Sequence, residues 1–430
     1  MAREYKDSGI EWIGQIPKEW DLARFKFVSE MYTGNSLNEQ QKELYSSSDS
    51  GNTLPYISTK DVERDIEKID YDGGIRIPLH VDKFAIAPKN SVLLCIEGGS
   101  AGKKVGYTNQ DVFFVNKLCC IKTLNNSRYF YYFILSNSFI EPFMQNIQGL
   151  IGGVSVSTLK NFVISIPPVY EQQKIANYLD KVCGEVDEMI KIQEQMIEEL
   201  KAYKQSIITE AVTKGLNPNV PMKDSGIDWI GQIPEHWEIR RIGNLFKLRD
   251  EKNYKPMDEV QLLSLYTGIG VFPHGEQEER GNKAITVEGY KVVHKDDIVV
   301  NIILAWMGAI GVSNYDGVTS PAYDVYIPDL SNVVPHFFHY VFRTQGIAGE
   351  CYKYGRGIMM MRWRTYSSEF KLISVPFPSM EEQQLIANFL DTKCAEIDAL
   401  IAIKQTKIDE LKEYKKSVIY EYVTGKKEVM

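Results

Sequence analysis

Two stretches of the chain carry the same hydrophobic rhythm. In the first, Val186, Ile190, Ile197, Leu200 and Ile207 advance by steps of 4, 7, 3 and 7; in the second, Ile397, Ile401, Ile408, Leu411 and Val418 repeat those steps. Such spacing lays a single apolar seam along a helix, the pattern of a coiled coil. Both stretches lack proline and are rich in Glu, Lys, Gln and Leu, while Pro167–Pro168 and Pro376 with Pro378 stand just before them. Proline is harmless at a helix start, so the spacing predicts two long helices. At 1.5 Å per residue, about 42 helical residues make a rod of roughly 63 Å. Gln193 and Lys204, matched by Lys404 and Lys415, interrupt the seam. Polar residues at such positions set register and partner number at some cost in stability.

The two helices are copies of one another. From Glu171, EQQKIANYLDKVCGEVDEMIKIQEQMIEELKAYKQSIITEAVT aligns without a gap to the stretch from Glu382, EQQLIANFLDTKCAEIDALIAIKQTKIDELKEYKKSVIYEYVT, with 24 of 43 positions identical. A second repeat precedes each globular region. YKDSGIEWIGQIPKEW at 5–20 matches MKDSGIDWIGQIPEHW at 222–237 in 12 of 16 positions. Each copy brings two tryptophans, Trp12 and Trp20, Trp229 and Trp237. Two readings of them stand: anchors that bury a large aromatic surface against a neighbouring segment, or platforms for stacking on bases.

These markers divide the chain into a first domain, 1–168, with its leading segment 5–20; a long helix, 169–214; a linker, 215–221; a second domain, 222–379, with its leading segment 222–237; and a second long helix, 380–426. The regions between the markers, 21–165 and 238–376, resemble each other only in outline. Each has a short apolar run leading into a glycine cluster: SVLLCI at 91–96 before Gly98, Gly99 and Gly102, and DIVVNII at 297–303 before Gly308 and Gly311. Apolar runs bounded by glycines read as buried strands and turns. One Tyr/Phe-rich helix is then expected in each, at 129–145 and 336–352, followed by a glycine-rich loop at 149–157 and 355–361. A strand and a proline close each domain. The fold class is therefore α+β, two β-rich domains and two long helices in an internal tandem repeat.

Composition narrows the class of protein. A hydrophobic fraction of 44% and a charged fraction of 25% are ordinary for a soluble globular chain, and 430 residues suit two domains. The first residues hold no apolar stretch, and the most apolar run, 299–312, is interrupted by Asn301 and is too short to span a bilayer. Cys95, Cys119, Cys120, Cys183, Cys351 and Cys394 form no paired motif, which suits a reducing cytoplasm. The net charge of −8 runs against a broad basic field for nucleic acid, although much of it falls in the two helices. Any DNA-binding face is then a local patch.

None of the usual catalytic patterns is complete in the chain. Gly98-Gly99-Ser100-Ala101-Gly102-Lys103-Lys104 approaches a phosphate loop, but its glycine spacing is wrong and Lys104 stands where Ser or Thr belongs. Ile166-Pro167-Pro168-Val169 has the prolines of an adenine-methyltransferase motif without the Asn or Asp that would bond the flipped base. The six histidines form no metal pattern, His336 and His339 included, and neither a nucleophile elbow nor a nuclease motif is present. A binding role follows better than an enzymatic one.

The candidate DNA-facing residues of the second domain are Lys353, Tyr354, Arg356, Arg362 and Arg364, because arginine bonds guanine edges or phosphates and the neighbouring glycines admit close approach. A solvated loop around a buried Trp363 is the plainer alternative. In the first domain the candidates are Lys103, Lys104, Ser155, Ser157 and Lys160.

The motifs WIGxIPxxW at 12–20 and 229–237, with the proline–EQQxIANxLD stretches at 166–180 and 375–391, resemble the DNA-specificity subunits of type I restriction–modification systems. The resemblance covers essentially the whole chain. It implies that each domain is a target-recognition domain reading one half of a bipartite, asymmetric double-stranded DNA site. It also implies that the two helices pack antiparallel, place the domains about a pseudo-twofold axis and set the unread spacer. The subunit would be non-catalytic and without a cofactor of its own. Two methylase subunits would bring S-adenosylmethionine, and restriction subunits would bring ATP- and Mg-dependent translocation. Two other readings remain: a tandem-domain scaffold that binds proteins and no DNA, and an enzyme with its own methyl-transfer chemistry.

Overall fold

A computed structural model of the chain describes residues 3–46, 52–64, 68–79, 81, 83–149, 152–275, 286–357 and 363–429. It divides into two compact units that do not follow chain order. One comprises Met1–Glu194 with Gln405–Met430, the other Gln195–Lys404. Each long helix, Val169–Lys214 and Met380–Val423, therefore contributes one part to each unit.

In the first unit the central sheet has four antiparallel strands in the order Ser29–Thr33, Leu118–Thr123, Val92–Cys95 and Val105–Tyr107. Cys120 pairs with Tyr32 on one side and Leu93 on the other. The strand residues 92–95 are all buried because both faces of the sheet are covered. Val92, Leu94, Cys119 and Ile121 point into the core shared with the helices, while Leu93, Cys95, Leu118 and Cys120 point into a second core with Val112 and Phe114. This is the two-residue alternation of a strand with both faces apolar. A second four-stranded sheet, in the order Arg76–Pro78, Thr53–Ile57, Val112–Phe114 and Ile86–Ala87, closes the far side.

The second unit repeats the central sheet in the same order with Phe246–Leu248, Tyr323–Pro328, Ile298–Asn301 and Ile310–Val312. Ile298 and Val300 face one core and Val299 the other. Among the described residues its outer strands form two-stranded pairs, Leu263–Tyr266 with Gly270–Pro273 and Lys291–Val293 with Gly317–Thr319. The duplicated parts thus share a sheet, and the divergent parts build different outer walls.

The single aromatic helix expected in each domain is two helices. Ser127–Leu135 and Asn137–Gln145 are separated by Ser136, which is extended (φ −81°, ψ 157°) and donates its hydroxyl to the Phe133 carbonyl. Pro335–Val341 and Gln345–Tyr354 are separated in the same way, with Thr344 accepting from the Ile347 amide as N-cap. A hydroxyl side chain that competes for backbone groups ends one helix and starts the next. The continuous aromatic character across both pieces hides the break.

Inside the first unit the two long helices run antiparallel. Lys415 Nζ lies 2.7 Å from Asp187 Oδ1, and the rings of Tyr178 and Tyr422 are 4.4 Å apart. Inside the second, Lys204 Nζ lies 2.7 Å from Asp398 Oδ2 and Lys404 Nζ lies 3.3 Å from Met196 Sδ. Lys204 and Lys415, two of the three lysines that break the heptad, thus form cross-helix ion pairs. Of the seam, Val186, Ile197, Ile397, Ile408, Leu411 and Val418 are buried, and Ile190, Leu200, Ile207 and Ile401 are half-buried. All six cysteines are free and buried. Among the described residues no helix is long and apolar enough to cross a membrane.

Candidate nucleic-acid interface

The repeated motifs converge on one latch, built once in each unit. The leading segment folds as a hairpin, Tyr5–Asp7 with Gln15–Pro17 in the first copy and Met222–Asp224 with Gln232–Pro234 in the second. Each delivers a fully buried tryptophan, Trp20 or Trp237, to the first turn of a long helix. Trp20 Nε1 donates to Glu171 at 2.9 Å, and Trp237 Nε1 donates to Glu382 at 3.1 Å. Arg3 shares Glu171 at 2.7 Å, whereas His236 lies 2.9 Å from Glu382. Burial opposes the charge on Glu382, but hydrogen bonds from His236, Trp237 and Ser379 outweigh it and hold the carboxyl below its ordinary range.

The next residue of the motif secures the helix start. Gln172 donates to the Pro167 carbonyl and Gln383 to the Pro378 carbonyl, both at 2.9 Å. The helix ends are tied to the same tryptophans. Gly425 (φ +70°) leaves no room for a side chain against Pro17, where a Cβ would lie at 2.4 Å; Gly215 (φ +74°) sits in the same way on Trp237. These are left-handed helix terminators in contact with the leading segment. The tryptophans are anchors.

A second latch joins each domain to its helix further along. Asp180 accepts from Arg128 Nε at 2.5 Å and from the Tyr132 hydroxyl at 2.7 Å. At the matching place Asp391 accepts from the Tyr340 hydroxyl and lies against His336 Nε2, both at 2.6 Å. Next to it His339 is half-buried, and desolvation first, then the Arg343 and His336 charges, push it down to about 3.

With the frame fixed, the candidate DNA-facing residues that are described fall on turns and on the ends of short helices. In the first domain they do not form one patch. Lys104 donates to the Thr59 carbonyl at 2.8 Å, and Lys103 faces a cleft of 970 Å³ shared with Asp187 and Lys191 of the long helix. Ser155 is spent as a helix N-cap, accepting from the Thr158 amide, and Lys160 closes that short helix half-buried. Ser157 is exposed and lines a separate depression. The glycine loop and the Gln148–Gly153 bridge are nonetheless neighbours, since the Gly98 amide donates to the Gly152 carbonyl at 2.7 Å.

In the second domain the candidates do gather. Arg356 and Arg364 exchange backbone hydrogen bonds at 2.9 Å as an antiparallel bridge, with both side chains exposed. The Arg356 guanidinium pairs with Glu369. Lys353 lies over the Tyr354 ring at 5.7 Å, and Tyr354 packs on the core. Arg362 lies outside the described residues. Trp363 is half-buried and stacks on Tyr352 at 5.2 Å, and Tyr352 in turn lies 6.0 Å from Trp306. Sequence reasoning missed this ladder because 306, 352 and 363 meet only through the fold. The nearby tryptophan and tyrosine beside the arginines were the available signal.

Each unit is thus a sheet domain locked at two points to a pair of helices, with variable loops at the free side. Among the described residues no cluster of His, Cys, Asp and Glu could hold a metal ion. That architecture defines a duplicated recognition protein. Residues 17–202 and 234–413 match the type I restriction modification DNA specificity domain, and the chain belongs to that family. It is similar to a protein named as the MjaX type I restriction enzyme specificity subunit of Methanocaldococcus jannaschii, 26% identical over 99% of this chain and 98% of that one. The MjaVIII specificity subunit of the same organism is 23% identical over 96% and 94%. A chain solved in work on complex assembly and conformational transition of the type I R-M system shares the fold at a TM-score of 0.69, with 14% identity over 95% of this chain and 98% of that chain. The HsdS subunit of Thermoanaerobacter tengcongensis shares it at 0.52, also with 14% identity and the same coverage.

Proposed function

We propose that this chain is the sequence-reading subunit of a type I restriction–modification complex, with each domain reading one half of a split double-stranded DNA site. The observation that carries the reading is the pairing of duplicated latches with unlike loops. One frame holds two different reading surfaces, as two unrelated half-sites require. The long helices set the unread spacer between the halves.

The subunit is non-catalytic in this reading. Methyl transfer from S-adenosylmethionine belongs to two methylase subunits, and ATP- and Mg-dependent translocation and cleavage belong to restriction subunits. Support for two equivalent partners comes from the exposed apolar residues of the helices. The first unit exposes Met189, Ile192 and Tyr414, and the second exposes Leu400, Ile403 and Tyr203, three pairs each separated by 211 positions. Exposed apolar patches of this kind mark protein interfaces. The acidic balance fits a clamp in which the partners supply part of the cationic surface. The absence of a membrane-crossing helix among the described residues suits work on DNA in the cytoplasm.

The test is co-expression with the methylase encoded beside it, followed by mapping of N6-methyladenine across the host genome. A motif of a few bases, a fixed gap and a few more bases is expected. No complex and no new methylation, from soluble folded protein, would favour a scaffold instead.

A further inference from the structure

The first domain carries an open depression of 460 Å³ lined by Asn146, Ser157, Thr158, Asn161 and Phe162. None of the five is charged at neutral pH. Asn146 directly follows the second aromatic helix, Asn137–Gln145, while Ser157 to Phe162 lie in and just after the short helix Val156–Leu159. A surface meant for phosphate would carry cations, as the segment after the second aromatic helix of the second domain does with Arg356 and Arg364.

The hydrogen bonds fix what this depression presents. Asn146 Nδ2 donates to the Pro142 carbonyl at 2.8 Å, and Asn161 Nδ2 donates to the Ser157 carbonyl at 2.9 Å. A peptide carbonyl only accepts, so neither amide can be turned round without losing its bond. Both side chains therefore offer an Oδ1 acceptor, and no donor among the described residues reaches either one. Ser155 Oγ bridges Ser157 Oγ at 2.7 Å and Thr158 Oγ1 at 2.9 Å, which holds the hydroxyl rim in place. Phe162 is held from behind by Phe139, with ring centroids 5.6 Å apart.

Two oriented carbonyl acceptors on an uncharged surface match exocyclic amino groups, which in the major groove are adenine N6 and cytosine N4. We propose that the Asn146–Asn161 depression is the base-reading subsite of the first domain and accepts hydrogen bonds from adenine or cytosine amino groups of its half-site. The proposal rests on the specificity-subunit reading above and adds which atoms read and what they read.

The experiment uses the full complex with its methylase subunits and duplexes carrying the mapped site. Exchange of residues 238–376 identifies the half read by the first domain as the half that does not change. Within it, each adenine other than the methylated one is replaced by purine, and each cytosine by pyrimidin-2-one, deleting one amino group at a time. Wild-type complex is expected to lose about tenfold in kcat/KM for methylation at one or two neighbouring positions. Asn146→Ala and Asn161→Ala should lose a similar factor on the natural duplex and show no further loss with those analogues, while still requiring the second half. The proposal is overturned if no amino deletion in that half affects the wild type, or if both variants keep the full penalty at every position. A wild-type complex that methylates no split site would instead overturn the specificity-subunit reading.

Discussion

The two units hold the same frame with different chemistry. In the first, permanent charges close both latches, Arg3 at Glu171 and Arg128 at Asp180. In the second, histidines occupy both places, His236 at Glu382 and His336 at Asp391. The tryptophans, glutamines and terminal glycines are unchanged between them. The difference separates what the architecture needs from what it tolerates. Large buried aromatic surface and capped helix ends recur, whereas the partner of each carboxylate is free to vary. The candidate reading surfaces differ most, a neutral acceptor pocket proposed on one domain and an arginine–aromatic cluster on the other.

Removing an anchor should have the largest effect. Trp20→Ala and Trp237→Ala empty fully buried sites and should each cost about 3–5 kcal/mol, measured by denaturant unfolding. If one were nearly neutral, the two latches would not be equivalent. Gly355→Ala comes next. A Cβ there would lie 2.3 Å from Trp363 Nε1, so the ring must move. A loss of about 1–3 kcal/mol is expected, with relaxed methylation in the second half-site and an unchanged first half. Relaxation of both halves would contradict the separation of the reading surfaces.

Acid should break the comparison in one direction. Burial depresses His339 from its ordinary 6.5 to about 3. Between those values the unfolded chain binds a proton that the folded one refuses, so stability falls as pH drops from about 6.5 towards 3, by at most about 1.4 kcal/mol per pH unit. The matching residue of the first domain is Tyr131, one position before the tyrosine of its latch, and it has no imidazole to protonate. His339→Tyr should flatten the acid slope of thermal unfolding; an unaltered slope would mean that other groups dominate it. The smallest effects belong to the cross-helix ion pairs. Lys415→Met should cost more than Lys204→Met, because the Lys415–Asp187 side chains are 14% and 28% exposed against 27% and 58% for Lys204–Asp398. Both should lie near or below about 1 kcal/mol and shrink in salt. Equal costs would show that burial does not distinguish the two pairs.

Much of the frame was legible in the chain because it is periodic or repeated. The heptad positions of residues 186–207 and 397–418 and the near-identical leading segments required no knowledge of the fold. The apolar runs at 91–96 and 297–303 were legible as central strands for the same local reason. The helix breaks at Ser136 and Thr344 were not, since aromatic residues continue on both sides and only backbone geometry shows the capping. The Asp180 and Asp391 latches were invisible because each joins residues about fifty positions apart. Of the candidate reading surface, the arginines of the second domain announced themselves by charge. The Asn146–Asn161 depression did not, because its acceptors are ordinary polar residues until their amides are tied to the backbone.

The most direct test of one frame carrying two independent readers is to replace residues 238–376 with the corresponding segment of a relative, co-express the chimaera with the methylase, and map N6-methyladenine. A split motif with one half replaced, the other half retained and the gap unchanged is the expected result. A change in both halves, or a single uninterrupted motif, would contradict it.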